Sequence, residues 1–288
     1  MSGSAPKLLR IAVHEPDWIP ELMALCAGYE RTEWRAEALA DQVFEWLPSF
    51  ALPWTEQQRA IGDGSAVRLL RKAAEIVYQT PKYQQRGEFG ELILHGILQQ
   101  EFGTQAAITK FWFKDAANDT VKGFDVIHVT DSLGEAALHL WLGEAKFYSD
   151  LDSAVGAALG ELEDHLTHDY LRTEFMLLSN KIDPHAPFAR RLAELLDDNT
   201  SLDQVFSRLH VPVLLTFDST SLERHSDHTD EYFDELRSEI ESAWRRFADR
   251  VEEVAPADVV VHLILVPLFT KQILLDLLDE KLRSWQNI

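Results

Sequence analysis

The chain has a single cysteine, Cys26, among 288 residues. That excludes an internal disulfide framework and any zinc site built on cysteine, and it fits a reducing compartment. It has no run approaching the roughly 18 to 20 consecutive apolar residues that a membrane helix needs. The N-terminal stretch MSGSAPKLLRIAVHEPD shows no long apolar run before a small-residue cleavage site. A soluble, cytoplasmic protein with no membrane partner is therefore expected. There is no phosphate-binding glycine loop, so no bound nucleotide cofactor is expected, and there is neither an internal repeat nor a low-complexity linker.

Positive charge is the scarcest commodity. Lys and Arg number 27 against 48 Asp and Glu, a net charge of −21. Residues 1–81 hold 8 basic against 11 acidic side chains, residues 82–180 hold 7 against 16, and residues 181–288 hold 12 against 21. No segment is basic. A protein that binds nucleic acid unaided usually carries a basic footprint. Any DNA contact must then come from a local patch, from metal ions that neutralise carboxylates, or from a partner protein.

What is present is an ordinary globular composition, 46% hydrophobic and 10% aromatic, in a chain long enough to bury a real core. Periodicity divides it into a mainly helical segment over 1–81, a central segment over 82–180 and a βα extension over 181–288. In the first segment, after a short strand or loop, ERTEWRAEALADQVFEWL places Trp34, Ala38, Val43, Phe44 and Leu47 on one stripe closed by Pro48. A second helix starts near Ser65 and ends before Pro81.

The central segment opens with a helix, YQQRGEFGELILHGILQQEFG. Strands follow at AITKFWF (107–113), FDVIHV (124–129) and LHLWLGEAKF, then a helix in LDSAVGAALGELEDHLTHDYL and a strand in EFMLLSN (174–180). The order is α, β, β, β, α, β. Further on, 186–197 and 229–253 read as helices, 211–219 and 259–268 as strands, and KQILLDLLDEKLRSW as a closing helix. Such alternation predicts an α/β protein with a mixed sheet covered on both faces.

Glu144 and Lys146 close the third strand of that core. Successive strand residues face opposite ways, so these two share a face about 7 Å apart. A short connection pairs this strand antiparallel with 124–129, which could bring Asp125 beside Glu144. Two adjacent carboxylates stay ionised together only with a cation between them, and all-oxygen donors suit Mg²⁺ or Mn²⁺. Glu88 in GEFGEL, between Gly87 and Gly90, is the candidate third carboxylate, with Glu91 as the alternative. The bland reading of Glu144 and Lys146 is an exposed strand-end ion pair worth about 0–1 kcal/mol. Lys122, His128, His165 and His168 read more simply as loop, core or surface groups, and Trp34, Trp46, Trp54, Trp112, Trp141 and Trp244 as core.

A glutamate on a helix, then Asp125, then Glu144-Ala145-Lys146 in a strand resembles the PD-(D/E)XK nuclease superfamily, although Phe124 stands where that motif usually has proline. RGEFGELILHGIL, FKDAANDTVKGFDVIHV, LWLGEAKFYSD and SLDQVF resemble, more specifically, the HamA family of the Hachiman antiphage defence system, over about 35–220. The resemblance implies a restriction-endonuclease-like αβββαβ core and a Mg²⁺-dependent endodeoxyribonuclease. Asp125, Glu144 and Glu88, with the carbonyl of Ala145, would hold the metal, Lys146 would position or activate the water, and the partner would be a helicase subunit, HamB. Two rivals remain: a nuclease-like subunit that binds and regulates the helicase with little or no cleavage, and a repair or recombination nuclease outside defence.

Overall fold

A computed structural model describes residues 7–58, 65–77, 87–108, 123–131 and 137–286. Seven strands form one mixed sheet in the order β1-β2-β9-β8-β7-β6-β5. They are β1 (Arg10–Glu15), β2 (Glu21–Cys26), β5 (Gln105–Ile108), β6 (Val126–Asp131), β7 (Leu138–Lys146), β8 (Leu209–Asp218) and β9 (Val260–Leu268). The four central strands β2, β9, β8 and β7 run parallel, and antiparallel strands close both edges. The central strands are apolar almost throughout, VPVLLTF in β8 and VVHLILVPL in β9, because a parallel sheet is covered on both faces.

Strand parity divides the core in two. Leu140, Leu142, Val213, Leu215, Leu263 and Leu265 point to one face. That face is covered by α6 (Leu151–His165), α7 (His168–Ser179) and α11 (Asp230–Val254), with the short helices α8 (Ala189–Leu195), α9 (Leu202–Phe206) and α10 (Thr220–Arg224) beside them. Trp141, Ala145, Leu214, Ile264 and Val266 point the other way, toward α1 (Ala36–Glu45), α2 (Leu47–Ala51), α4 (Ser65–Val77), α5 (Glu88–Glu101) and α12 (Lys271–Gln286). The hairpin β3 (Tyr29–Glu30) and β4 (Glu33–Trp34) and the helix α3 (Trp54–Gln58) complete the described elements.

Three expectations change. EFMLLSN is helical, lying in α7, whose buried residues Leu171, Glu174, Phe175 and Leu178 follow helix spacing while Met176 and Leu177 are exposed. A continuous apolar run reads as a strand when its period is not tested, and the strand that follows α6 in the sheet is instead β8. Where a short strand or loop is expected, the N-terminal segment supplies four strands among the described residues, and two of them, β1 and β2, join the main sheet, β2 beside β9. Pro48 does not close the first helix: α1 ends at Glu45, and Pro48 sits in the first turn of α2, where its missing N–H costs nothing. Residues 109–113 of the expected strand AITKFWF, Lys122 and Trp112 lie outside the described residues.

Candidate active site

The pairing of β6 with β7 is antiparallel, with Val126 opposite Gly143, so the preceding residue, Asp125, falls beside Glu144. Two further bonds fix it there. Asp125 N donates to Gly143 O at 2.9 Å, and Asp125 Oδ2 accepts from Ala145 N at 2.9 Å. Glu144 and Lys146 share a face, as strand geometry requires, and Lys146 Nζ lies 3.7 Å from Glu144 Oε2. Both are buried, Glu144 completely. This is no solvated ion pair.

A third carboxylate joins them from α6. Glu161 bonds Lys146 Nζ through Oε2, and oxygens of Asp125, Glu144 and Glu161 all lie within 4.8 Å of one another. One turn further along α6, His165 Nδ1 lies 2.7 Å from Glu144 Oε1. Its ring stacks on Tyr170 at 4.5 Å between centroids and meets Phe124 edge-on at 5.2 Å. Thus Phe124, the residue before Asp125, packs against the histidine that touches Glu144.

Glu88 is not in this group. Gly90, two residues on in α5, packs against Ala145 and Phe147, where an added Cβ would come within 2.9 Å of Phe147 Cβ. Ala145 and Phe147 belong to the opposite face of the sheet from Glu144 and Lys146, so α5 starts on the wrong side to present Glu88 to the three acids. Of the two glycines flanking Glu88, Gly90 serves close approach, whereas nothing lies within 4 Å of a Cβ at Gly87. Glu91, the alternative, is buried within α5 and also stands outside the group.

Charge in the cluster is poorly balanced. Burial, reinforced by Asp125 and Glu161, holds the Glu144 carboxyl well above the usual range, against the opposing pull of Lys146. Burial alone would lower Lys146, but the charges of Glu144 and Asp125 outweigh it and keep the ammonium favoured. Glu161 is opposed by burial yet held low by bonds to Glu144 and Lys146. Three carboxyl groups face one ammonium, so ionising Glu144 beside Asp125 and Glu161 adds negative charge that Lys146 does not balance. Glu144 Oε2, fully enclosed, has Lys146 Nζ at ion-pair distance, 3.7 Å, but receives no hydrogen bond among the described residues, and a buried carboxylate oxygen without a hydrogen bond is costly. The donor set, three carboxylate oxygens within 4.8 Å of one another, fits a hard divalent cation such as Mg²⁺ or Mn²⁺.

Comparison with known proteins agrees with the sequence. The HamA family model matches residues 11–282. The chain belongs to the HamA family. Anti-bacteriophage protein A of Escherichia coli (strain K12) is 23% identical over 264 residues, which cover 89% of this chain and 47% of that protein. This HamA family member therefore spans about half the length of that curated relative.

Other candidates fall elsewhere in this HamA family member. His128 is fully buried on the far face of the sheet, its Nε2 2.9 Å from His95 Nδ1 and its Nδ1 2.6 Å from Thr104 Oγ1. His168 is exposed near Phe206. Trp46 and Trp141 are core residues, and Trp34, Trp54 and Trp244 pack partly buried against the core. Sequence reasoning missed Glu161 and gave His165 no part in the site. The available signal was their spacing of four on a helix directly following the strand that carries Glu144, which puts both on one face. No helix of the described residues is long and apolar enough to cross a membrane.

Proposed function

We propose that this chain is a metal-dependent DNA endonuclease of restriction-endonuclease-like architecture that acts in antiphage defence with a helicase partner. The observation that carries the reading is the convergence of Asp125, Glu144 and Lys146 around a buried carboxylate oxygen that no hydrogen bond satisfies. Family membership and the name of the Escherichia coli relative support the defence context.

Bound there, Mg²⁺ or Mn²⁺ supplies charge neutralisation on a phosphodiester and a nucleophilic water at neutral pH. Asp125 and Glu144 would hold the ion. The backbone N–H of Ala145 fixes Asp125, so the acid enters the site already oriented. Lys146, kept protonated by the acids around it, orients the attacking water and stabilises charge developing on the phosphate. Burial of Glu144 and Lys146 strengthens each of these interactions by excluding bulk solvent.

The helicase partner enters through charge. A chain of net −21 repels the DNA backbone, so a partner that grips DNA would deliver it to the site. The same charge favours a second reading, in which this chain binds and regulates the helicase without cutting. Plasmid DNA incubated with Mg²⁺ and the purified chain, with and without its partner, separates the two. Cleavage by wild type, lost in Glu144→Gln and Lys146→Ala by a factor of 10² or more, is expected. Equal cleavage in all three proteins would defeat the site, and none in any state would favour the regulatory reading.

A further inference from the structure

Asp125, Glu144 and Lys146 do not complete the cluster. α6 is joined to β7 by four residues, and its N-cap Asp150 accepts from Ser153 N at 2.8 Å, which sets the start of the helix just beyond Lys146. From that start α6 runs back along the sheet and lays Glu161 and His165, one turn apart, over the same strand face as Glu144 and Lys146.

Each of the three acids has a partner that fixes one of its oxygens. Asp125 takes the N–H of Ala145, Glu144 pairs with His165 Nδ1 through Oε1, and Glu161 takes Lys146 Nζ through Oε2. Glu144 Oε2 is enclosed, with Lys146 Nζ at 3.7 Å and no hydrogen bond among the described residues. A carboxylate group aimed this way, with a histidine fixing its second oxygen, is the arrangement that orients metal ligands in proteins. His165 in turn is clamped between Tyr170 and Phe124, so its ring plane is not free to turn away. For Nδ1 to donate to an ionised Glu144, the imidazole carries its proton on Nδ1.

We propose that Glu161 is the third metal-ligating carboxylate of this site, in the place the sequence gave to Glu88, and that His165 is the positioning residue that holds Glu144 for the same ion. The assignment rests on the metal-dependent reading above and extends the ligand set from β6 and β7 onto α6. It predicts an ion held by three carboxylates on three elements, so that loss of Glu161 weakens binding of the ion itself and not only turnover.

Titration calorimetry with Mn²⁺ on the full chain tests it without any activity readout. Glu161→Gln should weaken Mn²⁺ at least tenfold, with Glu161→Asp weakened less because the charge remains. His165→Ala should weaken it by about 10- to 100-fold, the usual effect of removing a ligand's supporting hydrogen bond. His165→Asn should recover much of that loss, because its amide N–H₂ offers a donor near the position of Nδ1, a rescue that a packing role would not give. Glu88→Gln should bind as wild type. Glu161 is only half-buried, so its substitution leaves the core intact, and urea midpoints verify this. Wild-type affinity in Glu161→Gln, or a loss in Glu88→Gln instead, overturns the ligand assignment while leaving the metal-dependent reading standing. Absence of Mn²⁺ binding by wild type removes both.

Discussion

Glu144→Gln should make the metal-free protein more stable. Glu144 is fully enclosed, and its carboxyl is held well above the usual range by burial, then by Asp125 and Glu161. The sign follows from linkage. A carboxyl whose folded pKa lies above its unfolded value favours the fold below the unfolded pKa, and that contribution is lost as pH rises through the folded pKa. At neutral pH the fold therefore carries either a buried charge or a proton taken up against the solution. Glutamine removes that cost, keeps an oxygen for His165 Nδ1, and leaves Lys146 its bond to Glu161. Relieving one such buried mismatch is worth about 1–3 kcal/mol, or roughly 2–6 °C in Tm for a chain of this size. Mg²⁺ should do the reverse. Free ion at about 100 times its Kd stabilises wild type by about 2.7 kcal/mol and leaves the variant nearly unmoved. Differential scanning calorimetry in EDTA and in Mg²⁺ measures all four states. A variant that melts below wild type in EDTA, or an equal Mg²⁺ shift in both proteins, would refute the reasoning.

The other expectations concern stability. Burial pushes His128 down to about 3 and lowers its partner His95 as well. Such a group favours the fold fully above the unfolded value near 6.5, and its contribution is lost as pH falls through the window toward 3; His128 alone amounts to about 2 kcal/mol at pH 5. Urea midpoints should fall between pH 7 and 5, and His128→Gln should flatten that slope; a slope unchanged by the substitution contradicts the assignment. Leu178→Ala should cost about 2–5 kcal/mol and Leu177→Ala no more than about 0.5 kcal/mol, because only Leu178 faces the core in a helical α7. Similar losses at both would argue against the helix. Gly90→Val should destabilise by about 1–3 kcal/mol through overpacking, since even its Cβ meets Phe147 Cβ at 2.9 Å; chemical denaturation reads this directly, and a neutral result would mean that α5 sits farther from β7.

Sequence by itself determined a good part of this protein. The apolar runs of β8 and β9 announced buried strands, and alternation with helices announced a sheet covered on both faces. Two-residue parity put Glu144 and Lys146 on one face, and the short link between two strands made antiparallel pairing the simplest choice, which carries Asp125 to Glu144. These are local or near-local properties, fixed by the period of the backbone. Tertiary structure alone decided the rest. Glu88 and Glu161 both sit on helices next to the motif, and nothing in either stretch says which helix covers which face. Parity decides it only once α5 is seated on Ala145 and Phe147 and α6 on Glu144 and Lys146. Likewise FMLL in α7 has strand-like composition, and only burial against the sheet reveals its helical period. A residue's type and spacing state which chemistry it can do, whereas the face it looks onto depends on how elements distant in the chain pack together.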